Sequence, residues 1–250
     1  NVYHELNTNF LVYAGVIRAV RRYKDKLGLD IVTNANSTYY SSAWKTILSG
    51  CRPVYNALVY PKVQPVCKLK WNQYFNHENN WKSIFLKVKK STVDYQLRWF
   101  QLRVLHRLLP TNRYLHMRKI TDSSSCTFCN TCDETIAHML WGCPFVQRFW
   151  ADVLLWFRDT CVHCANFEFS EALVIMGVKD KCTTDSVMDL IILLAKFYIY
   201  KSKLQNTIPN KTAFVNMLKM RYSIERYRHI IEGTLHKFDN DWLLYKQLIE

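Results

Sequence analysis

Four cysteines and one histidine stand within the stretch Ser124–Trp150, SSCTFCNTCDETIAHMLWGCPFVQRFW. Zinc takes four soft or borderline ligands in a tetrahedron, and two ligand pairs, each on a short run of chain, supply them economically. Cys126 and Cys129 form a C-x2-C pair, and His138 and Cys143 form H-x4-C after an eight-residue gap. Cys132 makes the run C-x2-C-x2-C, and with Cys143-Pro144 this faintly resembles an iron–sulfur ligand pattern. The gap from Cys132 to Cys143 is too long for that pattern, and His138 would have no role in it. Spacing therefore favours one structural zinc ion on Cys126, Cys129, His138 and Cys143, with Cys132 a bystander. Four protein ligands leave no position for water, so such a site is expected to hold shape and not to catalyse.

The remaining cysteines carry weaker signals. Nine cysteines, an odd number at uneven spacing in 250 residues, do not read as a disulfide framework. A reducing, intracellular setting fits better. Cys51, Cys67 and Cys182 lie among apolar neighbours and are expected to be inert buried thiols. Cys161, His163 and Cys164 form "CVHC", which lacks a partner pair and the β-α-β surroundings of a redox motif, and so is expected to decorate a helix end.

No phosphate loop, dinucleotide fingerprint, zinc-protease motif or nucleophile elbow occurs in the sequence. "HENNW" at His77 lacks the second histidine of a zinc protease. Two-metal polymerase chemistry needs closely placed carboxylates, and the nearest approach, Asp239 and Asp241 in "FDNDW", is explained by helix capping. The segment is therefore expected not to be an enzyme.

Charge gives the site a direction. The net charge is +14. Residues 31–121 hold fifteen Lys/Arg against two acids, Glu78 and Asp94, for +13; residues 1–30 hold five against three, and residues 122–250 fourteen against fifteen. From Tyr95 to Thr121 there is no acid, while Arg98, Arg103, Arg107, Arg113, Arg118, Lys119, His106 and His116 fall there. A one-signed block attracts a polyanion, nucleic acid being the obvious one; an acidic partner domain is the alternative. Trp99, Tyr114 and His116 are available to stack on unpaired bases, although Trp99 reads rather as core beside Leu102.

The elements that would position these residues are mostly helical. Apolar residues at helical spacing predict helices over Asn9–Lys26 (capped by Thr8 or Asn9, stopped by Gly28) and Ala43–Ser49. A two-proline connector follows, and a domain boundary is placed near residue 65. Two pieces in 68–90 turn Trp71, Phe75, Trp81, Ile84, Phe85 and Val88 inward. A helix capped by Thr92 spans Val93–Leu109 before Pro110, and Pro144 opens another with Phe145, Phe149, Val153, Trp156 and Phe157 at three- and four-residue steps. Ser186–Leu204, Thr212–Ile231 and a terminal piece starting near Asp241 complete a mostly α chain. Its longest apolar run, Leu190–Ala195, is far short of the roughly 20 residues of a membrane span, so no membrane partner is expected. Opening on Asn1 without a charged-then-apolar leader, the chain reads as soluble and cut from a longer one.

The residues from Trp99 to Trp150 closely resemble the zinc-binding region near the carboxyl end of reverse-transcriptase polyproteins of LINE-type, non-LTR retrotransposons. The pattern is a basic aromatic helix, C-x2-C, Glu-Thr-x-x-His, a Cys-Pro and a helix ending in Trp; Cys126, Cys129, Glu134-Thr135, His138, Cys143-Pro144 and Trp150 fall on it. Cys132 falls on a variable position. The resemblance is specific over residues 95–157. It implies a parent with endonuclease and polymerase domains as partners, and a cytoplasmic ribonucleoprotein that reaches the nucleus at integration. It also implies that this region binds RNA template or target DNA during target-primed reverse transcription. Residues 1–65 would be a helical connector after the polymerase thumb, and 66–250 an α-helical carboxyl-terminal domain around a CCHC zinc knuckle. Arg98, Arg103, Arg107, Arg113, Arg118, Lys119, His116 and Tyr114 would meet the nucleic acid. A rival expectation is a scaffold that docks protein and organises the polymerase body.

Overall fold

Six of the nine described helices start on a short polar side chain that takes up free backbone N–H groups. The computed structural model describes residues 65–76, 78–177 and 185–250, which belong to one unit, Pro65–Glu250. Its helices are α1 (Val66–Phe75), α2 (Trp81–Ser91), α3 (Tyr95–Leu105), α4 (Asn112–Met117), α5 (Pro144–Thr160), α6 (Glu171–Met176), α7 (Ser186–Leu204), α8 (Lys211–Ile231) and α9 (Leu235–Trp242). A π-helical turn, His138–Gly142, precedes α5, and 3-10 turns cover Val162–Cys164 and Leu243–Leu248. Asn80, Asp94, Thr111, Ser170, Asp185 and Asn210 cap α2, α3, α4, α6, α7 and α8 through their side chains. Pro144 opens α5 as its first residue, where its missing N–H costs no hydrogen bond. Among the described residues there is no strand, only an isolated antiparallel bridge between Ser125 and Asp133, and the fold is mostly α.

The core is organised around α7. Val187, Met188, every residue from Leu190 to Lys196, and Ile199 are buried, so this helix is apolar nearly all round, as a helix enclosed by others must be. It packs against α2, α3, α6, α8, α9 and the π-helical turn. Among the described residues no helix is long and apolar enough to cross a membrane. A lysine side chain lies inside the core: Lys196 is buried, its amino group donating to Gln101 Oε1 while Gln101 Nε2 donates to Ile175 O at 3.1 Å. Burial pulls the Lys196 pKa down to about 7. Beside this core, α5 buries Val146, Phe149, Trp150, Val153 and Phe157, with Phe149 edge-on to Phe214 of α8 at 5.7 Å.

Several expectations need correction. The helix placed over Val93–Leu109 spans only Tyr95–Leu105, and its cap is Asp94, whose Oδ1 accepts from Gln96 N–H at 2.7 Å. Thr92 instead accepts from Asp94 N–H at 3.1 Å, fixing the cap from behind. The helix stops before Pro110 because Arg107 takes a left-handed backbone, φ 59°. Phe145 is exposed, and Val146 takes its inward place on α5. The terminal helix begins at Leu235, so Asp241 lies near its end and does not cap it. Trp99 is exposed, not core. Of the two pieces in 68–90, Trp71, Trp81, Ile84 and Val88 are buried, and Phe75 and Phe85 pack against them half-buried. The helices expected over Asn9–Lys26 and Ala43–Ser49, together with Cys51, His77 and Cys182, lie outside the described residues.

Candidate metal centre and the basic turn beside it

The zinc-ligand stretch begins as a tight antiparallel loop. Cys126 N–H donates to Cys132 O and Glu134 N–H to Ser124 O, each at 2.8 Å, across the Ser125–Asp133 bridge. The loop reverses at Asn130, whose φ of 56° is a left-handed conformation that asparagine tolerates. This closure turns Cys126 and Cys129 to one side. Thr135 Oγ1 then accepts from His138 N–H at 3.0 Å and starts the π-helical turn. Cys143 N–H donates to His138 O at 2.8 Å, so the wide turn brings the second ligand pair together.

The four ligand atoms lie within 4.8 Å of one another. Cys126 Sγ is 3.9 Å from Cys143 Sγ, and Cys129 Sγ is 3.3 Å from His138 Nε2. Ligands about 2.3 Å (sulfur) and about 2.0 Å (nitrogen) from one zinc ion at tetrahedral angles are separated by roughly 3.5–3.8 Å, so the donor set fits one zinc. Cys126 and Cys143 are fully buried, Cys129 and His138 half-buried. The thiols differ in acidity. Burial pushes Cys126 up to about 12 and raises Cys143. At Cys129 burial also raises the pKa, but hydrogen bonds from the Thr131 hydroxyl and amide and from His138 outweigh it and lower the thiol to about 6. Two buried thiols that hold their protons would lose them to solvent on coordinating a cation, and a zinc ion bound there would cross-link loop and turn. Cys132 is exposed and stands outside the group. Cys161 and Cys164 are buried where α5 ends; Cys161 Sγ donates to Leu244 O at 3.2 Å, so "CVHC" packs on the C-terminal 3-10 segment, with His163 exposed.

Glu134 has a role that motif matching names but does not explain. Its side chain is fully buried. Oε1 accepts from Asn112 N–H at 2.8 Å; Oε2 accepts from Thr127 N–H at 2.9 Å and from the Thr127 hydroxyl at 2.7 Å. The ammonium of Lys203, from the end of α7, lies 3.4 Å from Oε1 and donates to Pro110 O at 3.1 Å. A buried carboxylate is tolerated when its lone pairs are filled this way. The result is a clamp: the first turn of α4, the zinc loop and the core helix α7 meet on one side chain. Asn112 Nδ2 adds a bond to Ser125 O at 2.7 Å. The Glu-Thr pair ahead of His138 was the available signal, but its partner Lys203 lies far along the chain.

The basic residues divide into two groups. Arg103, Arg113, His116, Arg118 and Lys119 are exposed. Arg113 pairs with Asp133 at 3.0 Å, both side chains about half exposed (51% and 48%), an arrangement of little energetic weight. Arg118 lies over the half-buried Tyr114 ring at 5.5 Å, and His116 Nδ1 is 3.2 Å from Thr121 O. By contrast, Arg98 donates to Thr92 O at 2.5 Å and Lys89 O at 2.9 Å, and the Arg107 guanidinium sits over the buried Trp71 ring at 4.7 Å. Those two guanidinium groups bind the protein itself and are withdrawn from the set expected to meet phosphates. His106 is exposed but also contacts the protein, its ring beside Phe85 at 5.7 Å and Nδ1 3.6 Å from Cys67 Sγ.

Residues 42–150 match the family model for zinc-binding in reverse transcriptase. The matched span ends on Trp150 and includes all four converging ligands and Glu134, so the chain contains a zinc-binding segment of the type associated with reverse transcriptases. Comparison with curated proteins gives no match.

Proposed function

We propose that this chain is the nucleic-acid-binding, zinc-stabilised module of a LINE-type retrotransposon reverse transcriptase, taking hold of RNA template or target DNA during target-primed reverse transcription. The observation that carries the reading is the attachment of α4 to the zinc loop. Asn112 and Glu134 anchor the first turn of α4, and Arg113, His116, Arg118 and Lys119 leave that anchor exposed, with Arg113 paired to Asp133. A metal cross-link that fixes a cluster of cations orients it toward a polyanion at low entropic cost. Zinc performs no chemistry on the nucleic acid in this reading; Cys126, Cys129, His138 and Cys143 hold it as a brace. Residues 1–65 serve as the connector after the polymerase thumb, and the module works beside polymerase and endonuclease domains of the same polyprotein.

With Arg98 and Arg107 withdrawn, four cations remain for phosphates: Arg103, Arg113, Arg118 and Lys119. For single-stranded RNA the logarithm of affinity then falls with the logarithm of salt at a slope of about −3. Anisotropy titrations over a salt series measure it, and a flat dependence rules the reading out.

A protein-docking role is favoured by one separate feature. Met220, Ile224, Tyr227 and Ile231 recur at four- and three-residue steps along α8 and are 60%, 53%, 64% and 70% exposed. In this second reading the stripe docks on the polymerase body. Restoration of polymerase activity by a module that binds no RNA, lost on Ile224→Asp, would support it over the first.

A further inference from the structure

We infer that the outward face of α3 is a stacking platform for unpaired bases, so that the strand taken up beside the zinc loop is single-stranded; this rests on the nucleic-acid reading above. Tyr95 and Trp99 are 68% and 58% exposed and stand one helical turn apart, with Arg103 exposed a further turn on. The inward face belongs to Leu97, Phe100, Gln101 and Val104. Trp99 is the most exposed tryptophan among the described residues, and within them neither ring meets another aromatic ring. Between Tyr95 and Thr121 the other exposed Lys and Arg side chains, Arg113, Arg118 and Lys119, lie on α4 and its turn, where Tyr114 is half-buried.

Beyond its cap, α3 carries charge of one sign, Arg98 and Arg103. Asp94, the nearest acid in sequence, is bound by Arg221 at 2.7 Å, and no acid follows until Asp122. The two bonds of Arg98 hold the exposed end of α2, with Lys89, against α3. Lys201 of α7 is exposed above the Phe197 ring, which packs edge-on to Phe100 at 5.4 Å. Rings that accept any base face, flanked by cations that track the backbone, are what a single strand needs. A duplex offers no free base faces to them. Four residues of helix advance about 6 Å, close to twice the roughly 3.4 Å rise per base, so one base fits between the levels of Tyr95 and Trp99.

The test uses the full chain loaded with zinc and labelled oligonucleotides: single-stranded RNA, single-stranded DNA, duplex DNA and a single strand carrying abasic sites. Trp99→Ala should weaken binding of both intact single strands about ten-fold and Tyr95→Ala/Trp99→Ala further, with the salt slope unchanged. Abasic strand and duplex should bind the wild type more weakly and lose little in either variant. Both side chains are exposed, so zinc content and melting temperature should stay at wild-type values. Steep salt dependence in the wild type with unchanged single-strand affinity in the double variant would overturn the platform and leave the nucleic-acid reading intact. Absence of salt-dependent binding to every oligonucleotide would overturn both. Equal competition by polyglutamate and by polyuridylate would also overturn it, in favour of an acidic protein.

Discussion

The zinc loop and the α7 core are held together by different physics. Around α7, buried Val, Met, Leu and Ile side chains from several helices exclude water together, each contributing about 1.5–3 kcal/mol through burial. From Ser124 to Glu134 only Cys126 and Phe128 supply buried apolar side chains, and the loop is held by hydrogen bonds, one buried carboxylate and two of the four metal-ligating groups, Cys126 and Cys129. A loop that small cannot bury enough surface to order itself. The contrast predicts that metal loss unravels one region and spares the other.

The largest effect should follow from breaking the metal centre. Cys126→Ser or His138→Ala, or chelation of the wild type, should cost several kcal/mol of local folding free energy. Hydrogen exchange should then show amides of residues 124–134 unprotected while those of Leu190–Ala195 keep their protection. Equal acceleration in both regions would show that the division is false.

Next comes the clamp that joins them. Glu134→Ala leaves the Lys203 ammonium buried without its carboxylate, which should destabilise by about 3 kcal/mol. Denaturation of the zinc-loaded variant measures it. Lys203→Met/Glu134→Leu should recover part of the loss, because the buried charges then leave together.

Within the core, Lys196 gives a pH signature. Its folded pKa, about 7, lies below its ordinary value of 10.5, so between these limits the unfolded chain binds the extra proton and stability rises with pH. The slope reaches at most about 1.4 kcal/mol per pH unit, and the contribution is lost as pH falls toward 7. Lys196→Met should flatten that rise in urea titrations of the zinc-loaded protein between pH 7 and pH 10. A variant as steep as the wild type would refute the assignment.

The smallest effect belongs to Cys132→Ser, which should leave zinc content and melting temperature unchanged, since Cys132 is exposed and outside the ligand group. Loss of zinc measured by elemental analysis would instead make it a ligand.

How much of this was legible depends on how far apart the interacting residues lie. Pro144 at the start of α5 and the limits of Ser186–Leu204 rest on neighbours a turn away, and the sequence shows them directly. The cap of α3 was misplaced because Thr92 and Asp94 both suit the position, and which one faces the first turn depends on backbone angles. Trp99 was open to two readings because indole suits core and surface alike. Its place on the helix, about 140° from Val104 by helical geometry, sets it off the buried stripe.

The amino-acid sequence alone determined the metal chemistry and the sign of the surface: ligand spacing and charge are local and additive, and both can be counted along the chain. Tertiary structure alone decided which cations are available and what anchors them. Arg98 is taken by the carbonyls of Thr92 and Lys89, Arg107 by Trp71, and Glu134 finds Lys203 across the fold. These are competitions between partners for one side chain, and their outcome exists only once packing has brought distant segments within hydrogen-bonding range.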